Sequence, residues 1–377
     1  MTEESRSTEV AGVRLVLHVI PTPAARGAQR EARALADHLE APGTRHHRLL
    51  SLFEGRAEVA VDATLGHPGG DAPGVGFDPR VVFRLRSALR RMDPDVVVAH
   101  GSEPLKYLVP AMLGRRRPMA YYAIGTYSGT RGARQVRLWK RLVSRADAVA
   151  AEGEEVRIEC IEKLGVPDRR IVVAPNGRDP NRFYPRQDGP EAVPVVVFVG
   201  ALTEGKCPDQ FIQAVDGLRT RGIPLKARLI GDGPMRQTLI GPAKAAGVEV
   251  LGSRPDVDEQ LRAADVLVLP SRPAGEGMPG VLIEAALSGL PVVATAVPGV
   301  PSIVKDGETG FVVPVDDVPA MVHSTAKLLD DPGLRAWMGR AARQHGLDNF
   351  SLRAVGERWM TILQPLINSA VDKRSGR

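Results

Sequence analysis

Seven residues separate two carboxylates, Glu276 and Glu284, in the segment SRPAGEGMPGVLIEAALSGLPVVATA that covers residues 271–296. Glu276 sits in a glycine-rich loop. Glu284 falls just over one turn into the helix that the apolar spacing predicts at about 280–289. A loop that opens a helix offers unpaired backbone N–H groups and the positive end of the helix dipole, which together suit a phosphate. A carboxylate beside that phosphate can accept hydrogen bonds from two vicinal hydroxyls, such as a ribose diol. Phosphate, diol and further hydroxyls describe a nucleotide-sugar. Either glutamate alone reads as an exposed helix or loop residue. The spacing, the glycines and the position after a strand together favour a site.

The elements around this segment alternate. VRLVLHVI (13–20), DVVVAH (95–100), MAYYAIG (119–125), ADAVAAE (146–152) and RIVVAP (170–175) read as strands, with amphipathic helices between them. A polar, proline-rich stretch near 184–194 interrupts the pattern. It restarts with VPVVVFVG (193–200), KARLIGDGP, VEVLGS, DVLVLPS, PVVATAVPG and ETGFVVPV. Unbroken apolar runs are expected of parallel strands buried on both faces, and strand–helix repetition predicts an α/β fold with two parallel sheets. We expect an N-terminal unit over 1–185, a linker at 186–194, a second unit over 195–350 and a final helix over 351–377 that crosses back to the first. Ligands of open parallel sheets bind beyond the carboxyl ends of the strands. There the sequence places Gly27, His100, Gly125, Asn176, Lys206, Asp232, Arg254, Ser271 and Glu276, and two facing sheets would gather them around one cleft.

Composition narrows the classes. A chain of 377 residues with 43% apolar and 25% charged residues has the length of two domains and the balance of a globular protein. Its 2 cysteines form no disulfide framework and no zinc spacing, which points to a reducing compartment. No apolar run is long enough for a transmembrane helix, and the opening MTEESRSTEV is unlike a secretory signal. A cytoplasmic protein is expected, with peripheral contact at the inner membrane surface allowed by its charge. The net charge of +6 is concentrated, because the stretch between Glu103 and Asp147 has ten bases and no acid. Such a segment attracts a phosphorylated substrate, an anionic membrane or a nucleic acid. Aromatic residues are not interleaved with these arginines, which disfavours nucleic acid.

The ordered motifs carry a resemblance. EGMPGVLIEAALSGLPVVAT resembles the donor-site signature of the retaining glycosyltransferases of family 4, which have the GT-B fold of two Rossmann-like domains. VFVGAL, LIGDGP, LGSR, AADVLVLPS and PGVPSIVKDGETGFVVPVDD follow in the family's order, and VVAPNGRDPNRFYP is similar to the segment that ends the first domain. The resemblance implies transfer of a hexose from a nucleoside-diphosphate sugar to an acceptor hydroxyl with retention of anomeric configuration. UDP is favoured over GDP. The nucleotide-sugar is a substrate, and no cofactor or metal is implied. Lys206 matches the lysine on the donor diphosphate, Glu284 the glutamate on the ribose and Glu276 the glutamate at the donor sugar. Backbone of Gly277, Met278, Pro279 and Gly280 would lie beside sugar and phosphate, and backbone at Arg254 would meet the base. Gly27 matches the loop that approaches from the first domain.

Two departures stand out. Ala201 in VGAL occupies the place of a family arginine, so one diphosphate contact must come from elsewhere, with Arg26 and Arg254 as candidates. Gly125 stands where the family often has a histidine near the donor sugar, and His100, at the end of the preceding strand, is the candidate substitute. An Asp-x-Asp metal pair is not expected in the donor loops. On the acceptor side, Gly125, Arg131 and Arg134 are expected to border the cleft. They imply an acceptor that is anionic or lipid-linked, presented at an anionic surface. Two other readings fit the same residues: a nucleotide-sugar epimerase of the same fold, and a non-catalytic sugar-nucleotide or polyanion-binding homologue.

Overall fold

A computed structural model of the chain describes residues 14–375 except 25–26, 42, 68–75, 126–132, 188, 190–192 and 274–276. Most of its strands are the apolar runs of the sequence, but two more, over 45–53 and 63–67, carry histidine, arginine or glycine in place of an unbroken apolar run. The VVVAH of β4 (Val96–His100) and the VVVFV of β8 (Val195–Val199) are buried at every position, as strands covered on both faces must be. In the first half, β1 (Arg14–Ile20), β2 (Arg45–Phe53), β3 (Ala63–His67), β4, β5 (Met119–Ala123), β6 (Ala148–Ala151) and β7 (Ile171–Val173) form one parallel sheet in the order β3-β2-β1-β4-β5-β6-β7. Helices α1 (Gly27–Leu39), α2 (Pro79–Met92), α3 (Ser102–Ala111), α4 (Ala133–Val143) and α5 (Glu154–Glu162) connect them.

The second half repeats the plan. Strands β8, β9 (Lys226–Ile230), β10 (Val248–Gly252), β11 (Val266–Leu269), β12 (Val292–Thr295) and β13 (Gly310–Val313) run parallel in the order β10-β9-β8-β11-β12-β13. They are joined by α6 (Pro208–Thr220), α7 (Arg236–Ala245), α8 (Val257–Arg262), α9 (Gly280–Leu287) and α10 (Val300–Ile303). Two doubly wound parallel sheets realise the α/β class expected from the alternation. Strand order reverses between β1 and β4 and again between β8 and β11, and crevices open at such switch points.

Backbone contact shapes the second crevice. A Cβ on Gly231, which has φ +142°, would lie 1.8 Å from the carbonyl oxygen of Gly200. Only glycine lets the GDGP loop press against the loop after β8, so the GDGP sequence serves backbone packing.

The chain then runs through α11 (Val318–Asp330) and α12 (Pro332–Phe350) and breaks at Ser351. Helix α13 (Leu352–Ser375) returns to the first sheet, where Trp359, Ile362 and Leu363 share a core with Val16, Val98 and Tyr122. The outward and returning crossings are stitched together: the Arg178 N–H donates to Phe350 O at 2.8 Å, and the Leu352 N–H donates to Arg178 O at 2.9 Å.

Candidate active site

Helix α9 begins at Gly280 after Pro279, whose extended backbone (φ −70°, ψ 103°) caps it without a side-chain hydrogen bond. Its first turn therefore presents amides that no capping side chain covers. Glu284 lies one turn in, and its Oε1 accepts from Arg178 Nε at 2.8 Å. Lys206 ends a short 3-10 turn (Glu204–Lys206) just before α6. It is half-buried along the loop that leaves β8, its Cδ 4.0 Å from where a Cβ on Gly200 would stand. Lys206 and Glu284 thus occupy the carboxyl ends of the second sheet. Gly277 and Met278 precede α9, and Glu276 lies outside the described residues.

The facing lip comes from the first sheet. Gly125, at φ +67° after β5, donates its N–H to Glu152 Oε2 at 2.9 Å. Glu152, which directly follows β6, accepts from Asn176 Nδ2 at 2.7 Å, and Tyr122 donates to Asn176 Oδ1 at 3.2 Å. Burial raises the Glu152 carboxyl above its ordinary range, and the bonds from Gly125 and Asn176 oppose that shift. The two lips touch. A Cβ on Gly277 would stand 3.7 Å from Glu152 Oε2, and one on Gly153 would meet the Met278 Cε at 3.5 Å. Ser302 adds a bond across the gap to Glu155 at 3.3 Å.

Arg178 connects the two sides. Its Nη1 donates to Glu31 Oε2 at 2.7 Å while its Nε holds Glu284, and Glu31 Oε1 accepts from the Gly177 N–H at 2.6 Å. Glu31 lies one turn after Gly27, the first residue of α1. Burial pushes its carboxyl up to about 7, against the pull of Arg178 and the Gly177 bond. Sequence reading passed over Arg178, Glu31 and Glu152. The available signal was three charged residues in segments at carboxyl ends of strands: PNGRD, the GAQRE that opens α1, and AVAAE.

Several expectations are corrected. His100 is 3% exposed and does not face the cleft. It bonds His18 at 2.8 Å and stacks on Trp359 with ring centroids 6.1 Å apart. The Arg254 side chain is engaged by Asp256, with Nε and Nη2 at 2.7 and 2.6 Å from its two oxygens, so its charge is already countered. Asp256-Val257-Asp258 is itself an Asp-x-Asp sequence just after β10, contrary to the expectation for the donor loops. Its carboxylates do not converge, since Asp258 pairs with Arg182 at 3.1 Å. Among the described residues no group of His, Cys, Asp and Glu is arranged to hold a metal ion. Arg134 is exposed on α4, whereas Arg131 and Arg26 lie outside the described residues. A groove of about 600 Å³ opens at the crossover instead, between His38, Asn181, Asp348 and Arg353, and shares no residue with the site.

Comparison with known proteins gives the family and the fold. Residues 25–182 match the family described as Glycosyltransferase Family 4, and residues 182–345 match Glycosyl transferases group 1. The chain is 31% identical over 310 residues to a GDP-mannose-dependent alpha-(1-6)-phosphatidylinositol monomannoside mannosyltransferase of Mycolicibacterium smegmatis, covering 76% of this chain and 80% of that protein. It is 33% identical over 230 residues to a D-inositol 3-phosphate glycosyltransferase of Streptomyces avermitilis, but spans only 49% of that relative's length. In structure it is similar to Anabaena Alr3699/HepE, solved in complex with UDP, with a TM-score of 0.78 over 94% of this chain and 100% of that one. At 19% identity that likeness speaks for the fold alone.

Proposed function

The chain belongs to the glycosyltransferases of GT-B fold, with a first half of family 4 type and a second half of group 1 type, and from that premise we propose that it moves a hexose from a nucleoside-diphosphate sugar to an acceptor hydroxyl with retention and without a metal ion. The observation that carries this reading is the first turn of α9, which has no side-chain cap, with Glu284 beside it, set across a closed seam from Gly125 and Glu152. The amides of that turn and the Lys206 ammonium would receive the diphosphate. Both stabilise charge that grows on the leaving oxygen as the sugar C1–O bond breaks. On the same face, the acceptor oxygen bonds to C1 and its proton passes to the leaving phosphate oxygen. Such a step needs no protein base, which suits a site where Gly125 replaces histidine and His100 is turned away.

GDP-mannose is the first donor to test, because the relative aligned over most of the chain is named for it and the UDP complexes are likenesses of fold only. For the acceptor we favour an anionic or lipid-linked hydroxyl compound at an anionic membrane surface. No helix among the described residues is long and apolar enough to cross a membrane. Helix α4, however, exposes Leu138 among Arg134, Arg137 and Arg141, an apolar side chain ringed by cations.

Calorimetry with GDP and UDP, followed by slow release of nucleotide from the cognate sugar donor in the presence of EDTA, tests the reading. Glu284→Gln should weaken the binding about tenfold and slow the release. Interconversion of the donor without an acceptor would favour an epimerase instead, and tight binding without any turnover would favour a binding homologue.

A further inference from the structure

Arg178 is the point where the two halves of the site meet, and the donor chemistry by itself assigns it nothing. Its main chain is fixed on both sides by Phe350 and Leu352, so the residue stands where both crossings pass. Its side chain is equally constrained: Nε goes to Glu284 of α9 and Nη1 to Glu31 of α1. A guanidinium is planar and its donors have fixed directions, so satisfying two carboxylates at once leaves it one orientation. The consequence falls on Glu284. A carboxylate one turn into a helix has several rotamers open to it, but the bond to Oε1 selects one and so fixes where Oε2 stands. Glu31 and Glu284 belong to different domains, so this selection holds only while the two domains stand together. Gly280 adds a steric condition, because a Cβ there would lie 2.3 Å from Arg178 Nη2. Glycine at the first position of α9 is what admits the guanidinium.

We propose that Arg178 is a positioning residue of the donor site, which presents the Glu284 carboxylate to the vicinal hydroxyls of the donor ribose. This deepens the nucleotide-sugar reading and rests on it. The test is calorimetric binding of GDP and 2′-deoxy-GDP, or the UDP pair if GDP does not bind, to the full chain and its variants. The unsubstituted protein should favour the ribonucleotide about tenfold, the worth of a hydrogen bond to a charged group. In Arg178→Met and Arg178→Lys the ratio should fall to about twofold or less, as in Glu284→Gln, and Arg178→Met/Glu284→Gln should fall no further. If Arg178→Met does not fold, Arg178→Lys carries the test, since lysine keeps the charge and lacks the fork. An Arg178 of merely structural importance would weaken both nucleotides equally and leave the ratio intact, which would overturn the proposal. So would reductions that multiply in the double variant. An unsubstituted protein that binds the nucleotides without discrimination overturns this inference alone. One that binds neither overturns the nucleotide-sugar reading, and this inference with it.

Discussion

His100 Nε2 lies 2.8 Å from His18 Nδ1, and this bond belongs to a chain that starts at Arg45. Arg45 Nε can only donate, and it does so to His47 Nε2 at 3.0 Å. With all three imidazoles neutral, His47 must then carry its proton on Nδ1 and donate to His18 Nε2, 2.8 Å away. His18 in turn donates from Nδ1 to His100, whose own proton is left on Nδ1, a buried atom without a hydrogen-bond partner among the described residues. The strand-end histidine is therefore part of the core. His100→Ala should cost about 2–4 kcal/mol of stability, from the cavity and the orphaned His18 donor. Nucleotide affinity at a temperature where the variant is folded should stay within about twofold. A selective loss of affinity at unchanged stability would return His100 to the cleft.

The same three histidines set the response to acid. Burial holds His47 and His100 down to about 3 and His18 well below its ordinary 6.5. Their folded values lie below the unfolded one, so the unfolded chain binds protons first. Their contribution is complete above pH 6.5 and is lost as pH falls from there toward 3. Each histidine adds a slope of up to about 1.4 kcal/mol per pH unit. Urea unfolding at pH 7.5, 6.0 and 5.0 should show a steep decline. A flat profile would mean that the imidazoles are hydrated.

Glu31 has the opposite sign. Its folded value, about 7, exceeds the ordinary 4.5 of a glutamate, because burial outweighs the attraction of Arg178. Its contribution is therefore complete below pH 4.5 and declines as pH rises through 7. The stability of the protein relative to Glu31→Gln should fall across that interval by at most about 1.4 kcal/mol per unit, and level off above it. The difference between the two denaturation series isolates this group from the histidines. An unchanging difference would show Glu31 to be ionised throughout.

Gly280→Ala ought to help a helix on propensity alone, by about 0.8–1 kcal/mol in an interior position. Here the added methyl meets the Arg178 guanidinium, which is held by two carboxylates and cannot simply swing aside. We expect weaker nucleoside-diphosphate binding, about tenfold, with little change in melting temperature. Retained affinity would show that Arg178 relocates without consequence.

The central strands were legible because a parallel strand covered on both faces becomes an unbroken apolar run, as in VVVFV, whereas RHHRLLSLF and ATLGH toward one edge of the first sheet form no such run and were not read as strands. The place of Glu284, one turn into a helix that follows a glycine-rich segment, was legible because that segment and helix are contiguous in sequence. Arg178 was not, since its partners Glu31 and Glu284 lie 147 and 106 positions away and no local pattern reports which side chains converge. The misplacement of His100 has a different origin. The end of a strand points at the cleft as a segment, but its side chains still alternate between faces. Val96 and Val98 face the core that contains Trp359, and His100 continues that period of two.

Helix α13 sets an order on synthesis. The first domain is translated first, yet one face of its sheet is closed by Trp359, Ile362 and Leu363, which leave the ribosome only after the entire second domain. Until then Val16, Val98 and Tyr122 lack their cover. The earlier-made half must wait with an apolar surface open to chaperones and to misassociation, while the later-made half already has its own core in hand. A released chain truncated after residue 350 should thus hold a finished second domain and an unfinished first one.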